Sequence, residues 1–155
     1  MVALDATEAM LTEAMAKAEE ENLFNIKFIH GDATSLPFSD SSFGLVTSRL
    51  AIHHFTKPRP ILNEMARVTA PGGRVVLVDL IASEDQEQVR FESGIRYQSE
   101  QAETHNRLER LRDPSHTSAL SITHLSSLVG QSGLILEGKV SNNLFIRINT
   151  MVLKM

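Results

Sequence analysis

The sequence predicts an α/β fold: a mostly parallel sheet with helices on both faces and an antiparallel hairpin at its C-terminal end. Three observations carry this expectation. Short apolar runs alternate with helix-forming stretches from Val2 to Ile81, the pattern of right-handed parallel crossovers. The run Arg74–Ile81 reads RVVLVDLI, nearly continuous and β-branched, as in a central strand buried on both faces. Near the end, Leu134–Val140 and Leu144–Leu153 are two β-rich runs separated only by Ser141-Asn142-Asn143, which reads as a hairpin.

Taken in order, Val2-Ala3-Leu4 is a short strand ending in Asp5. Asp5 or Thr7 can cap the helix that follows, and Glu8 stands three residues after Asp5, in capping-box spacing. Leu11, Ala14, Met15 and Ala18 form that helix's apolar stripe, with Met10 and Met15 expected to fill core. Asn22 ends it. Ile26–Ile29 is the second strand, leaving through Gly31-Asp32, and Ser35–Ser42 is a loop or short helix. Phe43–Ser48 is the third strand. Pro60 suits the first turn of a helix that buries Ile61, Leu62, Met65 and Val68 and is stopped by Ala70-Pro71-Gly72-Gly73. Residues 85–112 form a polar, helix-prone insert whose apolar residues fit no single stripe, and Asp113-Pro114 breaks it. Ser121 or Thr123 can cap a last helix that turns Leu125, Leu128 and Val129 inward and ends at Gly133.

The chain of 155 residues is long enough to bury a core and is most simply one domain, residues 1–155. Its net charge of −4 argues against non-specific nucleic-acid binding, which needs clustered Lys and Arg. With no cysteine there is no thiolate chemistry and no Cys-based zinc site. No apolar run approaches the roughly 20 residues of a membrane span, and MVALDATEAM lacks the pattern of a signal peptide, so the cytoplasm is the expected location.

The strand exits carry the chemistry, because ligands of open α/β sheets bind there. Asp5 can be a plain N-cap, and Asp32 a plain turn residue. The six histidines show no metal-ligand spacing, and neighbouring His53 and His54 diverge, so no metal site is expected. His53, His54 and His116 are the candidate general bases, since imidazole titrates near neutrality; an ordinary structural role stays open for each. Arg112 and Asp113 can pair with each other or with a substrate.

Several motifs together resemble the class I S-adenosylmethionine-dependent methyltransferases, especially the branch of ubiquinone and menaquinone biosynthesis. They are VALDAT at Val2–Thr7, GDATSLPFSDSSF at Gly31–Phe43, SRLAIHHF at Ser48–Phe55 and ILNEMARVTAPGGRVVLVD at Ile61–Asp79. Weaker matches follow at Asn106–His116 and Leu125–Leu136. The resemblance implies a Rossmann-like methyltransferase fold and S-adenosylmethionine as cofactor. Asp5, with Ala6 beside it, would bind the ribose hydroxyls, and Asp32 and Ala33 the adenine. Ser48, Arg49 and Leu50 would meet the methionine part of the cofactor. His53 and His54 would lie near where a small-molecule acceptor enters.

The sequence begins at what would be that family's second strand, and no G-x-G pattern occurs. The expected fold is therefore an incomplete one, N-terminally truncated, with weakened cofactor binding by one chain alone. A homo-oligomer or a partner chain is expected to complete the sheet, since unpaired edges are costly and adhesive. Gly44 stands where the family usually has Asp. The expected function is methyl transfer to a small molecule; the alternatives are a non-methylating descendant, such as a cyclase or isomerase, or a non-catalytic partner subunit.

Overall fold

The computed structural model describes residues 1–82, 107, 110–111, 113–115, 117, 119–136, 140–142 and 145–153. The chain divides into two compact units, Met1–Ser39 and Asp40–Met155. Most of the helical insert expected at residues 85–112 lies outside the described residues.

The first unit is a strand–helix–strand crossover: β1 (Val2–Asp5), α1 (Glu8–Glu20) and β2 (Lys27–His30). The two strands pair in parallel, with Val2 opposite Lys27 and Asp5 opposite His30. Asn22 ends α1 with a positive φ of 56°, and the Leu23 amide donates to the Ala18 carbonyl at 2.8 Å. This is the wrapped helix end that Gly or Asn permits. At the other end the capping box does not form; Thr7 is the N-cap and its side chain makes no cap hydrogen bond. Asp5 instead accepts from the Thr7 amide at 2.7 Å, an Asx turn. Leu11 and Ala18 are the buried residues of α1. Met10 and Met15, expected in the core, are 52% and 45% exposed. The two strands of this unit have four residues each, so they cover one narrow line of the helix rather than a full stripe.

The second unit contains β3 (Phe43–Arg49), a 3-10 turn (Ile52–His54), α2 (Arg59–Val68) and β4 (Thr69–Ala82). Further along the chain come β5 (Leu120–Ser121), α3 (Ile122–Gln131), β6 (Leu134–Leu136), β7 (Val140–Asn142) and β8 (Phe145–Leu153). Strand order is β3-β4-β8-β6, with β5 also on β4 and β7 also on β8. β3 and β5 run parallel to β4, whereas β8 is antiparallel to β4, β6 and β7. The expected hairpin therefore exists, and β6 and β7 share one register on β8: Leu136 faces Met151 and Val140 faces Arg147. Asn142 pairs with Phe145, so it belongs to the strand and not to the loop.

The core of this unit lies where α2 packs on β4. Ile61, Leu62, Met65 and Val68 are buried, as are Val75 and Leu77. Leu125 and Val129 of α3 complete it, while Leu128 is only half-buried. Each fully buried Leu or Val contributes about 1.5–3 kcal/mol relative to exposure. Ser121 caps α3, its Oγ accepting from the His124 amide at 3.1 Å. Gly133 ends that helix region with φ 76°.

The segment Ala70-Pro71-Gly72-Gly73 does not stop α2. That helix ends at Val68, and the segment is a bulge inside β4: Phe43 pairs with Thr69 but Leu45 with Arg74. The bulge requires its glycines. Gly72 has φ 75°, and a Cβ on Gly73 would lie 2.8 Å from the Ala70 carbonyl and 3.0 Å from the Gly44 carbonyl. A Cβ on Gly44 would meet nothing within 4 Å, so a larger side chain has room there. No helix among the described residues is long and apolar enough to cross a membrane.

Candidate functional site

In the first unit, parallel pairing brings the candidate cofactor residues to one sheet end. The Gly31 amide donates to the Asp5 carbonyl at 3.0 Å, and His30 Nε2 lies 2.9 Å from the Ala6 carbonyl. A carbonyl only accepts, so His30 Nε2 carries the proton in that bond. Asp5 is half-buried; Thr7 occupies its Oδ1, and Oδ2 has no hydrogen-bond partner among the described residues. Asp32 is exposed, and Thr34 binds both its oxygens: the amide at 2.8 Å from Oδ1 and the hydroxyl at 2.7 Å from Oδ2. These bonds, the backbone one foremost, hold the Asp32 carboxyl below the ordinary carboxylate range. A carboxylate offers about four acceptor sites, so both acids keep capacity for a ligand's hydroxyl or amino groups.

In the second unit, β3 leaves the sheet through Ser48, Arg49 and Leu50. Leu50 has φ 52°, and its amide donates to the Val78 carbonyl at 2.7 Å. Positive φ in a branched, bulky residue is strained, and such strain concentrates at functional turns. The next three residues are held by a residue that sequence reading passed over. Asp79 follows Val75 and Leu77 on the buried face of β4 and is itself only 4% exposed. Its Oδ2 accepts from the Ala51 and Ile52 amides at 3.2 and 2.7 Å. Its Oδ1 lies 2.5 Å from His53 Nδ1 and accepts from the Leu80 amide at 2.7 Å. The signal was present: one acid inside an apolar central strand must find partners, since an unpaired buried charge is prohibitively costly.

Adjacent histidines thus have different fates. His53 is buried at 6% exposure against Asp79. His54 has a side chain 29% exposed, with Nδ1 3.0 Å from Ser115 Oγ and Nε2 3.9 Å from Asp113 Oδ2. Thr117 fastens this segment to the turn, its amide and hydroxyl both donating to the His53 carbonyl at 3.0 and 2.7 Å. Asp113 accepts from the Ser115 hydroxyl and amide, and these bonds, with the two histidines, hold its carboxyl low. His116 and Arg112 lie outside the described residues. Among the described residues no cluster of His, Asp or Glu could hold a metal ion.

Residues 1–77 match a family described as a methyltransferase domain. The uncharacterized methyltransferase YcgJ of Bacillus subtilis is 34% identical over 151 residues, covering 97% of this chain. The chain belongs to the class I S-adenosylmethionine-dependent methyltransferases. The crystal structure of YcgJ superposes with a TM-score of 0.75 at 35% identity, over 90% of this chain and 54% of that one. A putative methyltransferase of Bacillus halodurans (BH2331) gives 0.75 at 32% identity, covering 90% and 55%. The ubiquinone/menaquinone biosynthesis C-methyltransferase UbiE of Roseobacter denitrificans is 39% identical over 77 residues, 49% of this chain and 31% of that protein. The chain spans about half the length of YcgJ, 54%. The Rossmann-like α/β fold of this methyltransferase family is the fold seen here, and S-adenosylmethionine is the cofactor expected of it.

Proposed function

We propose that this methyltransferase-family chain binds S-adenosylmethionine and serves methyl transfer to a small molecule. The observation that carries the reading is the β1 exit, where one Asp5 carboxylate oxygen has no hydrogen-bond partner among the described residues, beside the Gly31-Asp32 turn. Asp5 and Ala6 hold the ribose diol, and Asp32 and Ala33 the adenine, with Asp32 accepting from its exocyclic amine. In the second unit, Ser48, Arg49 and the strained Leu50 are assigned to the methionine part. His53, His54 and His116 are assigned to the acceptor side. The cofactor supplies an activated methyl group; the protein positions the reactants and moves a proton.

The chain works in the cytoplasm, and a second copy or a partner completes its cofactor site. Among the described residues β1 pairs only with β2 and β3 only with β4, which leaves each an edge able to accept a strand. Calorimetry of the purified chain with S-adenosylmethionine, combined with light scattering, tests both statements. Saturable binding by an oligomer is expected; no binding at millimolar cofactor rejects the first statement, and a monomer that binds rejects the second.

The half-buried His54 beside Asp113 favours one other reading: a cyclase or isomerase that needs only an acid or base. Turnover without added cofactor, lost on His54→Ala, distinguishes it.

A further inference from the structure

We propose that His54 is the proton acceptor for the methyl-accepting substrate, and that Ser115 and Asp113 are positioning residues that fix its tautomer. The proposal rests on the methyl-transfer reading above and names the class of acceptor. Ser115 Oγ lies 2.6 Å from Asp113 Oδ1 and 3.0 Å from His54 Nδ1. Two oxygens that close need a proton between them, and a serine hydroxyl has only one. An ionised carboxylate has none to give, and the Asp113 carboxyl is held in its ionised form by those same bonds. The Ser115 proton therefore goes to Asp113, and its oxygen must accept from His54. Neutral His54 is thereby fixed as the Nδ1–H tautomer, with the lone pair on Nε2.

Nε2 is 3.9 Å from the Asp113 Oδ2 carboxylate oxygen, beyond hydrogen-bond reach. A proton arriving on Nε2 has that carboxylate as its neighbour. His53, though adjacent, cannot take this role, because it is buried against Asp79. The acceptor served by such a base is one that arrives with its proton in place, a hydroxyl or an activated C–H. In the balanced step, His54 Nε2 takes the acceptor's proton as the acceptor atom bonds to the methyl carbon. The sulfur–methyl bond breaks with its electron pair left on sulfur, so the sulfonium's positive charge ends on the imidazolium beside Asp113.

The test begins with the full chain labelled with 15N-histidine, read by long-range 1H–15N correlation. His54 is expected as the Nδ1–H tautomer. In Asp113→Ala the serine proton is released and can be donated to Nδ1, so the population should shift to Nε2–H. In Ser115→Ala the preference for Nδ1–H should be lost. An Nε2–H tautomer in the unmodified chain, or no change in either variant, overturns the positioning roles. The second arm uses hydroquinone and a thiol, mercaptoethanol at alkaline pH, as probe acceptors with labelled S-adenosylmethionine. His54→Gln should lower transfer to hydroquinone by about 100-fold, within the usual range for loss of a general base, and transfer to the thiolate far less. Equal losses, or bound cofactor with no transfer to hydroquinone, overturn the acceptor-side role. Absence of cofactor binding in the chain rejects the methyl-transfer reading and with it the acceptor class, while the tautomer result still stands or falls on its own.

Discussion

At the end of β1, Asp5 is half-buried and its carboxylate reaches one local donor, the Thr7 amide. At the level of the β3 exit, Asp79 is almost wholly buried and gathers Ala51, Ile52, His53 and Leu80 around two oxygens. One sheet end leaves its acid open to a ligand, and the other spends its acid on holding a turn. The difference follows from the strands that carry them. β1 is a four-residue strand in a two-stranded sheet, with little around it to exclude water. β4 is a 14-residue strand flanked by β3, β5 and β8, so an acid on its buried face must be satisfied internally. A carboxylate of the first kind is free to serve chemistry. One of the second kind serves it by shaping the backbone beside it, here the strained Leu50 and the turn with the two histidines.

The contrast can be broken most forcefully at Asp79. Asp79→Ala strips three amides and His53 of their buried acceptor and should cost about 3–5 kcal/mol in urea unfolding. A loss below about 1 kcal/mol would show that the turn does not depend on it. The adjacent histidines should separate next. His53→Ala leaves the buried carboxylate without its side-chain partner and should cost about 3 kcal/mol, whereas His54→Ala, on the surface, should cost about 1 kcal/mol or less. Equal costs would erase the distinction between them.

Asp5→Ala probes the open acid. It should leave unfolding nearly unchanged and weaken S-adenosylmethionine binding by about 1.5–3 kcal/mol, roughly a 10- to 150-fold rise in Kd by calorimetry. A large loss of stability with unchanged affinity would make Asp5 a cap and nothing more. The smallest effect is expected at Thr34. Because the folded Asp32 carboxyl titrates below its ordinary value of 3.8, its contribution to stability is present above that value and fades as pH falls through the lower folded one. Thr34→Val keeps the amide bond and removes the hydroxyl bond, so the Asp32 carboxyl carbon, followed by NMR, should titrate closer to 3.8 than in the unmodified chain. An unchanged titration would assign the whole shift to the backbone.

Much of this was legible in the amino-acid order. Apolar periodicity placed α2 and α3 nearly where they are, because each buries a stripe that sequence spacing reports directly. Asn22, Ser121 and Gly133 announced their helix ends, because capping is local chemistry between residues a few positions apart. The family motifs were legible as well, since they sit on those same strand exits. Met10 and Met15 misled, because burial depends on how wide a surface the partner sheet offers. The glycine pair read as a helix stop is a bulge, because only the pairing of β3 with β4 shows the extra residues between Thr69 and Arg74.

What the sequence by itself determined is the alternation of elements, their caps and the types of residue at each strand exit. What only the tertiary structure decided is which of those residues are spent and which are available. His53 and His54 are identical in chemistry and adjacent in the chain. One is locked to Asp79 and the other is half-open on Ser115, because their surroundings come from strand β4 and from residues about 60 positions away. Such contacts leave no local trace, since they are set by packing and not by neighbouring residues.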